Sequence, residues 1–304
     1  MLILPFLLAA LFGQTPATPA TPPPAAQAAP ALAALPAPPA WGKLKAAYDY
    51  KPAPKSPVPV IEARNDADYL FQHVLLTGAD GKTIPGLFLR PKADGKYPVA
   101  LLLHGLGSDK ETMLRVFGRP LAAKGIACLA LDAREHGERK PTSGQTAAPD
   151  PMRFATVMRA TIGDYRLALD WLKTRPDVDS RRVGLLGYSM GAMMGSILGG
   201  VDNRVKAAVL EVGGDPIRPY LRMLPAAMRE PVEFVSTSNY VGHIAPRPVL
   251  MINAKADQTM KEDAAKRLQD AAREPKQIIW AEGGHILAEA DAQKGTAWLA
   301  EKLR

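Results

Sequence analysis

Apolar positions fall in short, regularly spaced runs from residue 69 to the end of the chain. "YLFQHVLL" (69–76) and "TIPGLFLR" (83–90) flank "TGADGK", whose Asp80-Gly81 pair signals a hairpin. "YPVALLL" (97–103) is a continuous apolar run, the pattern of a strand buried on both faces. "KETMLRVFGRPLAAKG" (110–125) has helical spacing and stops at Gly125, and "IACLALD" (126–132) reads as the next strand. An amphipathic helix is predicted over 161–176, ending at Pro176, followed by the strand "RVGLLGY" (182–188) and the helix "SMGAMMGSILGG" (189–200). Further strands are expected at 205–212, 247–253 and 276–281, with helices at 259–273 and 289–303. This alternation predicts an α/β fold: a mainly parallel, twisted sheet of about eight strands with helices on both faces.

The first sixty residues follow a different pattern. Residues 1–13, "MLILPFLLAALFG", are almost wholly apolar but too short to span a bilayer comfortably, and small residues follow. A secretory signal over 1–20 is expected, with export to the periplasm or medium, although no Lys or Arg precedes the run. The rival is an uncleaved membrane anchor. A lipid anchor at the end of the run is excluded, because no cysteine stands there. Residues 21–60 are rich in Pro and Ala and are expected to form a disordered tether, leaving 61–304 as the folded domain.

Composition narrows the function without naming it. The net charge of +8 does not point to nucleic acid, since Lys and Arg are interspersed with acids and no basic run carries aromatics. Cys128 is the one cysteine and sits in an apolar strand, so no internal disulfide and no Cys/His zinc spacing exists. No metal or organic cofactor is expected.

The candidate chemistry begins at "GYSMG" (187–191). A serine flanked by glycines between a strand and a helix has the context of a nucleophile elbow, and the N–H of Met190 opens the helix behind it. A serine hydroxyl needs a base. Of the five histidines, His285 in "EGGHIL" lies just past the last strand, at the sheet edge that carries Ser189. The acid that orients this base is expected to be Asp257, after the penultimate strand, with Glu211 and Asp215 as rivals from the strand before. "HGLG" (104–107) follows a buried strand and can turn the Leu106 N–H toward the Met190 N–H as an oxyanion hole, with His104 bracing the loop.

These motifs resemble the α/β-hydrolase family over roughly residues 65–304, and "LDAREHGER" (131–139) resembles that family's Asp-x-Arg-x-His-Gly segment. Within the family the chain looks like bacterial secreted or periplasmic esterases related to dienelactone hydrolases and acetyl xylan esterases. Dienelactone hydrolases carry cysteine at the nucleophile position, and Ser189 departs from that toward ordinary ester hydrolysis. The resemblance implies a small cap at about 213–246. Its Tyr220, Met223, Leu224, Met228, Phe234 and Tyr240 are candidates to line a substrate pocket, as is Tyr188 beside the nucleophile. Arg218, Arg222 and Arg229 either attract acidic substrates or are simply solvated. The expected activity is that of a serine carboxylesterase on small-molecule esters. A prolyl-oligopeptidase-like peptidase and a non-catalytic binding protein on the same scaffold are the alternatives.

Overall fold

The computed structural model describes residues 37–52, 59–65, 68–143 and 150–304, so the expected signal at 1–20 and most of the tether at 21–60 lie outside the described residues. The strands are β1 (Val60–Asn65), β2 (Tyr69–Thr77), β3 (Thr83–Pro91), β4 (Tyr97–Leu103), β5 (Ala127–Leu131), β6 (Val178–Tyr188), β7 (Val205–Glu211), β8 (Val249–Ala254) and β9 (Lys276–Ala281). They form a nine-stranded sheet in the order β1-β2-β3-β5-β4-β6-β7-β8-β9. β1, β2, β3 and β5 pair antiparallel in succession. From β5 through β9 every pairing is parallel.

The register explains why the central strands read as continuous apolar runs. Leu101 of β4 pairs with Leu129 of β5 and with Leu185 of β6. Leu101, Leu103, Leu129 and Leu185 join the core on one face, and Leu102, Ala130 and Leu186 join the core on the other. Both faces are therefore covered, as parallel sheets require.

The helices are α1 (Trp41–Ala46); α2, with α-helical turns Lys110–Met113 and Arg119–Ala122 around a π segment Leu114–Gly118; α3 (Pro151–Thr174); α4 (Met190–Val201); α5 (Ala226–Glu233); α6 (Glu262–Ala271); and α7 (Glu289–Lys302). α3 and α4 cover one face through Tyr165, Leu169, Met193 and Ile197. α2 and α7 cover the other through Phe117, Leu121 and Leu299.

Three elements depart from the sequence reading. α3 begins ten residues before the expected start at 161, where Asp150 accepts hydrogen bonds from the Met152 and Arg153 N–H groups and Pro151 opens the first turn. That cap signal is legible in the chain. β1 is a ninth strand at the sheet edge. The third departure corrects the tether, whose expected span includes a folded piece at 41–50. Leu44 and Tyr48 are buried, and the Trp41 ring stacks on His243 at 3.5 Å between centroids. The Tyr48 hydroxyl donates to the Phe234 carbonyl at 2.6 Å, and Arg159 donates to the Ala47 carbonyl at 2.7 Å. Docking onto residues far away in the sequence holds this segment, and local composition does not reveal such contacts.

β4 sits at the topological switch. The chain leaves it toward β5 on one side and returns to β6 on the other. Loops at the carboxyl ends of such strands diverge and open a crevice. The loop after β4 and the turn after β6 carry "HGLG" and Ser189.

Candidate active site

Ser189 links β6 to α4 in a backbone conformation of φ 54° and ψ −116°, which non-glycine residues rarely adopt. Its glycine neighbours are dictated by space. A Cβ at Gly187 would lie 2.2 Å from the Gly191 carbonyl oxygen, and one at Gly191 would lie 1.9 Å from the Leu103 carbonyl oxygen. Both obstacles are backbone, so neither yields cheaply. The turn is anchored by the Ser189 N–H, which donates to the Glu211 carbonyl at 2.9 Å. Met190 is the first residue of α4, where an N–H has no acceptor within the helix.

The structure brings the three expected side chains together. His285 Nε2 is 2.8 Å from Ser189 Oγ, and His285 Nδ1 is 2.8 Å from Asp257 Oδ2. The Asp257 carboxylate is buried, and its other oxygen accepts the Thr259 and Met260 N–H groups at 2.8 Å each. With Oδ1 held in this way, Oδ2 is aimed at the imidazole. Neither rival is hydrogen-bonded to His285 among the described residues. Asp215 Oδ1 accepts from the Ile217 and Arg218 N–H groups, and its Oδ2 accepts from the Ser236 hydroxyl and from the N–H and hydroxyl of Ser238. It organises the root of the 213–246 segment. Glu211 is fully buried with neither carboxyl oxygen hydrogen-bonded among the described residues, and burial pushes its pKa well above the usual carboxylate range.

Tyr188 does something the sequence reading missed. It was expected to line a pocket, but its hydroxyl donates to the His285 carbonyl at 2.7 Å and accepts the Leu287 N–H at 3.0 Å. One side chain next to the nucleophile thus holds both sides of the histidine loop. Burial raises the phenol's pKa, which keeps it a donor.

The "HGLG" loop is braced as expected. His104 is buried; its Nδ1 is 2.8 Å from the Gly105 carbonyl, and its Nε2 accepts the Ala133 N–H at 2.9 Å. A carbonyl on one nitrogen and an N–H on the other fix the neutral tautomer with its proton on Nδ1. Burial pushes the imidazole pKa down to about 4, in agreement with that assignment. Below this loop Asp132, fully buried, accepts the Lys110 N–H and its ammonium at 3.1 and 2.7 Å, and the Glu138 N–H at 2.9 Å. Gly137 is required there, since a Cβ would fall 2.1 Å from the Asp132 carboxyl carbon. The "LDAREHGER" segment is therefore a buried polar clamp beside the site. Cys128 is buried, and burial pushes its thiol pKa far up.

The expected pocket residues divide. Tyr220 and Met223 line a cavity of about 310 Å³ between the segment 216–223 and the start of α6. Phe234 does not line it. Its carbonyl accepts from the Tyr48 and Tyr240 hydroxyls, and its ring lies under the Arg159 guanidinium. Leu224 and Tyr240 are core residues, and Met228 packs partly buried against the same core.

The sequence pattern of the alpha/beta hydrolase family matches residues 100–245. The protein YfhR of Escherichia coli strain K12, itself uncharacterised, is 26% identical over 233 residues, which cover 72% of this chain and 75% of that protein. A cold-adapted esterase from an Arctic intertidal metagenomic library superposes with a TM-score of 0.66 at 23% identity, covering 80% of this chain and 98% of that one. The acetyl xylan esterase from Paenibacillus sp. R4 gives a TM-score of 0.69 at 20% identity, covering 86% and 92%. At these identities the structural likenesses establish the fold. Taken with the sheet order, they give the chain the α/β-hydrolase fold, and its likeness to that family in sequence runs over residues 100–245.

Proposed function

We propose that this protein is a serine carboxylesterase. The observation that carries the reading is the unbroken run of two 2.8 Å contacts from Ser189 Oγ through His285 to Asp257, set on a strained turn at the switch point of the sheet. Ser189 Oγ attacks the ester carbonyl as His285 Nε2 takes its proton. Asp257, accepting from Nδ1–H, holds the tautomer that leaves Nε2 basic and stabilises the imidazolium. The N–H groups of Leu106 and Met190 bind the developing oxyanion. His285 then protonates the departing alcohol, and a water deprotonated by the same nitrogen releases the acid from Ser189. Tyr188 positions the base through the loop backbone. The esterases among the structural neighbours add support for ester substrates.

The test is covalent. A fluorophosphonate labels the wild type on Ser189 and leaves Ser189→Ala unlabelled, and only the wild type hydrolyses p-nitrophenyl acetate. Labelling of Ser189→Ala refutes the nucleophile. Cleavage of proline-containing peptide amides without ester turnover replaces the esterase by a peptidase. We further propose export, on the apolar run at 1–13. Sequencing the N-terminus of the cell-fractionated protein decides between a cleaved signal and a retained anchor.

A further inference from the structure

The cavity of about 310 Å³ beside the acid loop has a charge imbalance that the catalytic reading does not use. Its polar wall carries Arg222, Lys261, Arg267 and Asp263, and Tyr220 and Met223 supply apolar surface. The three arginines of the 213–246 segment, alike in sequence, are not alike in structure. Arg218 is paired with Glu233, and Arg229 Nε donates to the Leu224 carbonyl at 2.9 Å. Arg222 Nε is buried with no acceptor among the described residues. Arg267 is committed, at 2.9 Å to Asp263 and through Nε at 3.0 Å to the Asp215 carbonyl. Lys261 makes no ion pair among the described residues and is felt only at longer range, where it helps to hold the Asp263 pKa below its usual value. Three cations thus face one carboxylate that Arg267 already occupies.

A buried guanidinium N–H without an acceptor is costly, and a planar fork of donors is best satisfied by a carboxylate. The cavity backs onto the loop that carries the acid Asp257. Thr259 lines it, and the Thr259 N–H donates to the same Asp257 carboxylate whose other oxygen holds His285. We propose that this cavity is a substrate subsite for a carboxylate, with Arg222 as the principal contact and Lys261 as the second, so that half-esters of dicarboxylic acids are favoured over neutral esters. Tyr220 and Met223 pack against the methylene chain that joins the two acid groups. This inference rests on the esterase reading for its kinetic consequence but not for its binding consequence.

Two experiments separate them. In the Ser189→Ala background, which removes turnover, glutarate is titrated calorimetrically. Binding is expected, weakened about tenfold or more by Arg222→Gln and less by Lys261→Gln, as loss of a charge-assisted contact implies. Asp263→Asn acts in the opposite sense, tightening glutarate by removing the one competing carboxylate and freeing Arg267. With the active protein, the ratio of kcat/KM for mono-p-nitrophenyl glutarate to that for p-nitrophenyl butyrate is expected to fall about tenfold in Arg222→Gln. It should also shrink with added salt. Absence of glutarate binding overturns the subsite, as does binding that Arg222→Gln leaves unchanged. A half-ester preference equal in wild type and Arg222→Gln overturns it as well. Arg222-dependent glutarate binding in a protein that hydrolyses no ester upholds the carboxylate site and overturns the esterase reading.

Discussion

Glu211 provides a stability test whose sign and size follow from its surroundings. The side chain is fully exposed to the core and not to water, with both carboxyl oxygens unpaired among the described residues, and burial raises its pKa well above the ordinary carboxylate value. Below that ordinary value the group is neutral in both folded and unfolded chains and contributes no pH dependence. Above it the unfolded chain releases its proton and the native chain keeps it. The native state therefore loses about 1.4 kcal/mol per pH unit relative to the unfolded state until the pH passes the raised pKa. Stability from this group is present in acid and lost as pH rises. Glu211→Gln keeps the shape and cannot ionise. Its amide brings an extra unsatisfied donor, which costs about 1–3 kcal/mol at every pH and leaves the slope untouched. For a folded body of this size about 1 kcal/mol moves Tm by about 2–4 °C. The difference in Tm between Glu211→Gln and wild type should thus grow in favour of the variant by about 3–6 °C per pH unit as pH rises from 5. Paired thermal melts at half-unit intervals from pH 5 to 8 measure it. A difference that stays flat from pH 5 to 7 refutes the claim that Glu211 is held neutral in the fold.

Tyr188→Phe removes the hydroxyl that bridges His285 and Leu287 and should lower kcat about tenfold with little change in KM, read from steady-state ester hydrolysis. Asp257→Asn should lower kcat by up to about 10⁴-fold with the fold intact. Asp215→Asn should lower Tm through the Ser236 and Ser238 contacts and leave the triad geometry in place; the reverse pattern would reassign the acid. Gly191→Ala places a methyl group against the Leu103 carbonyl oxygen and should cost more than about 3 kcal/mol, seen as lost soluble yield and lost fluorophosphonate labelling. Leu44→Ala should cost about 2–3 kcal/mol in chemical denaturation, whereas a tether residue would cost nothing.

The central sheet was legible because burial on both faces leaves an unbroken apolar run, as at 97–103, and because each run ends where its helix begins. Ser189, Asp257 and His285 were legible for the same reason: each follows a strand, and parallel strands deliver their following loops to one edge. Contacts that depend on distance in the chain were not legible. The stretch 41–48 reads as part of a proline-rich tether because the partners that hold Trp41 and Tyr48, His243 and Phe234, lie about two hundred positions away. Tyr188 reads as a pocket aromatic because its type gives no hint that its hydroxyl closes on the histidine loop. Glu211 and Asp215 remained rivals of Asp257 until hydrogen-bond partners could be counted. Arg218, Arg222 and Arg229 share a residue type and a segment, and only the presence of Glu233 and the Leu224 carbonyl beside two of them singles out the third.

The segment 213–246 is fastened at several points along its length. Asp215 takes five hydrogen bonds at its root, counted over Ile217, Arg218, Ser236 and both donors of Ser238. Tyr48 and Tyr240 close on the Phe234 carbonyl, and Trp41 lies flat on His243. A rim stitched to the body at root, middle and end does not swing, so the passage of substrate and product is not timed by its opening. Turnover should then be indifferent to the viscosity of the medium, because no large piece of protein has to be dragged through solvent in each cycle. An oil–water boundary should likewise bring no burst of activity, since there is no closed form for the boundary to open.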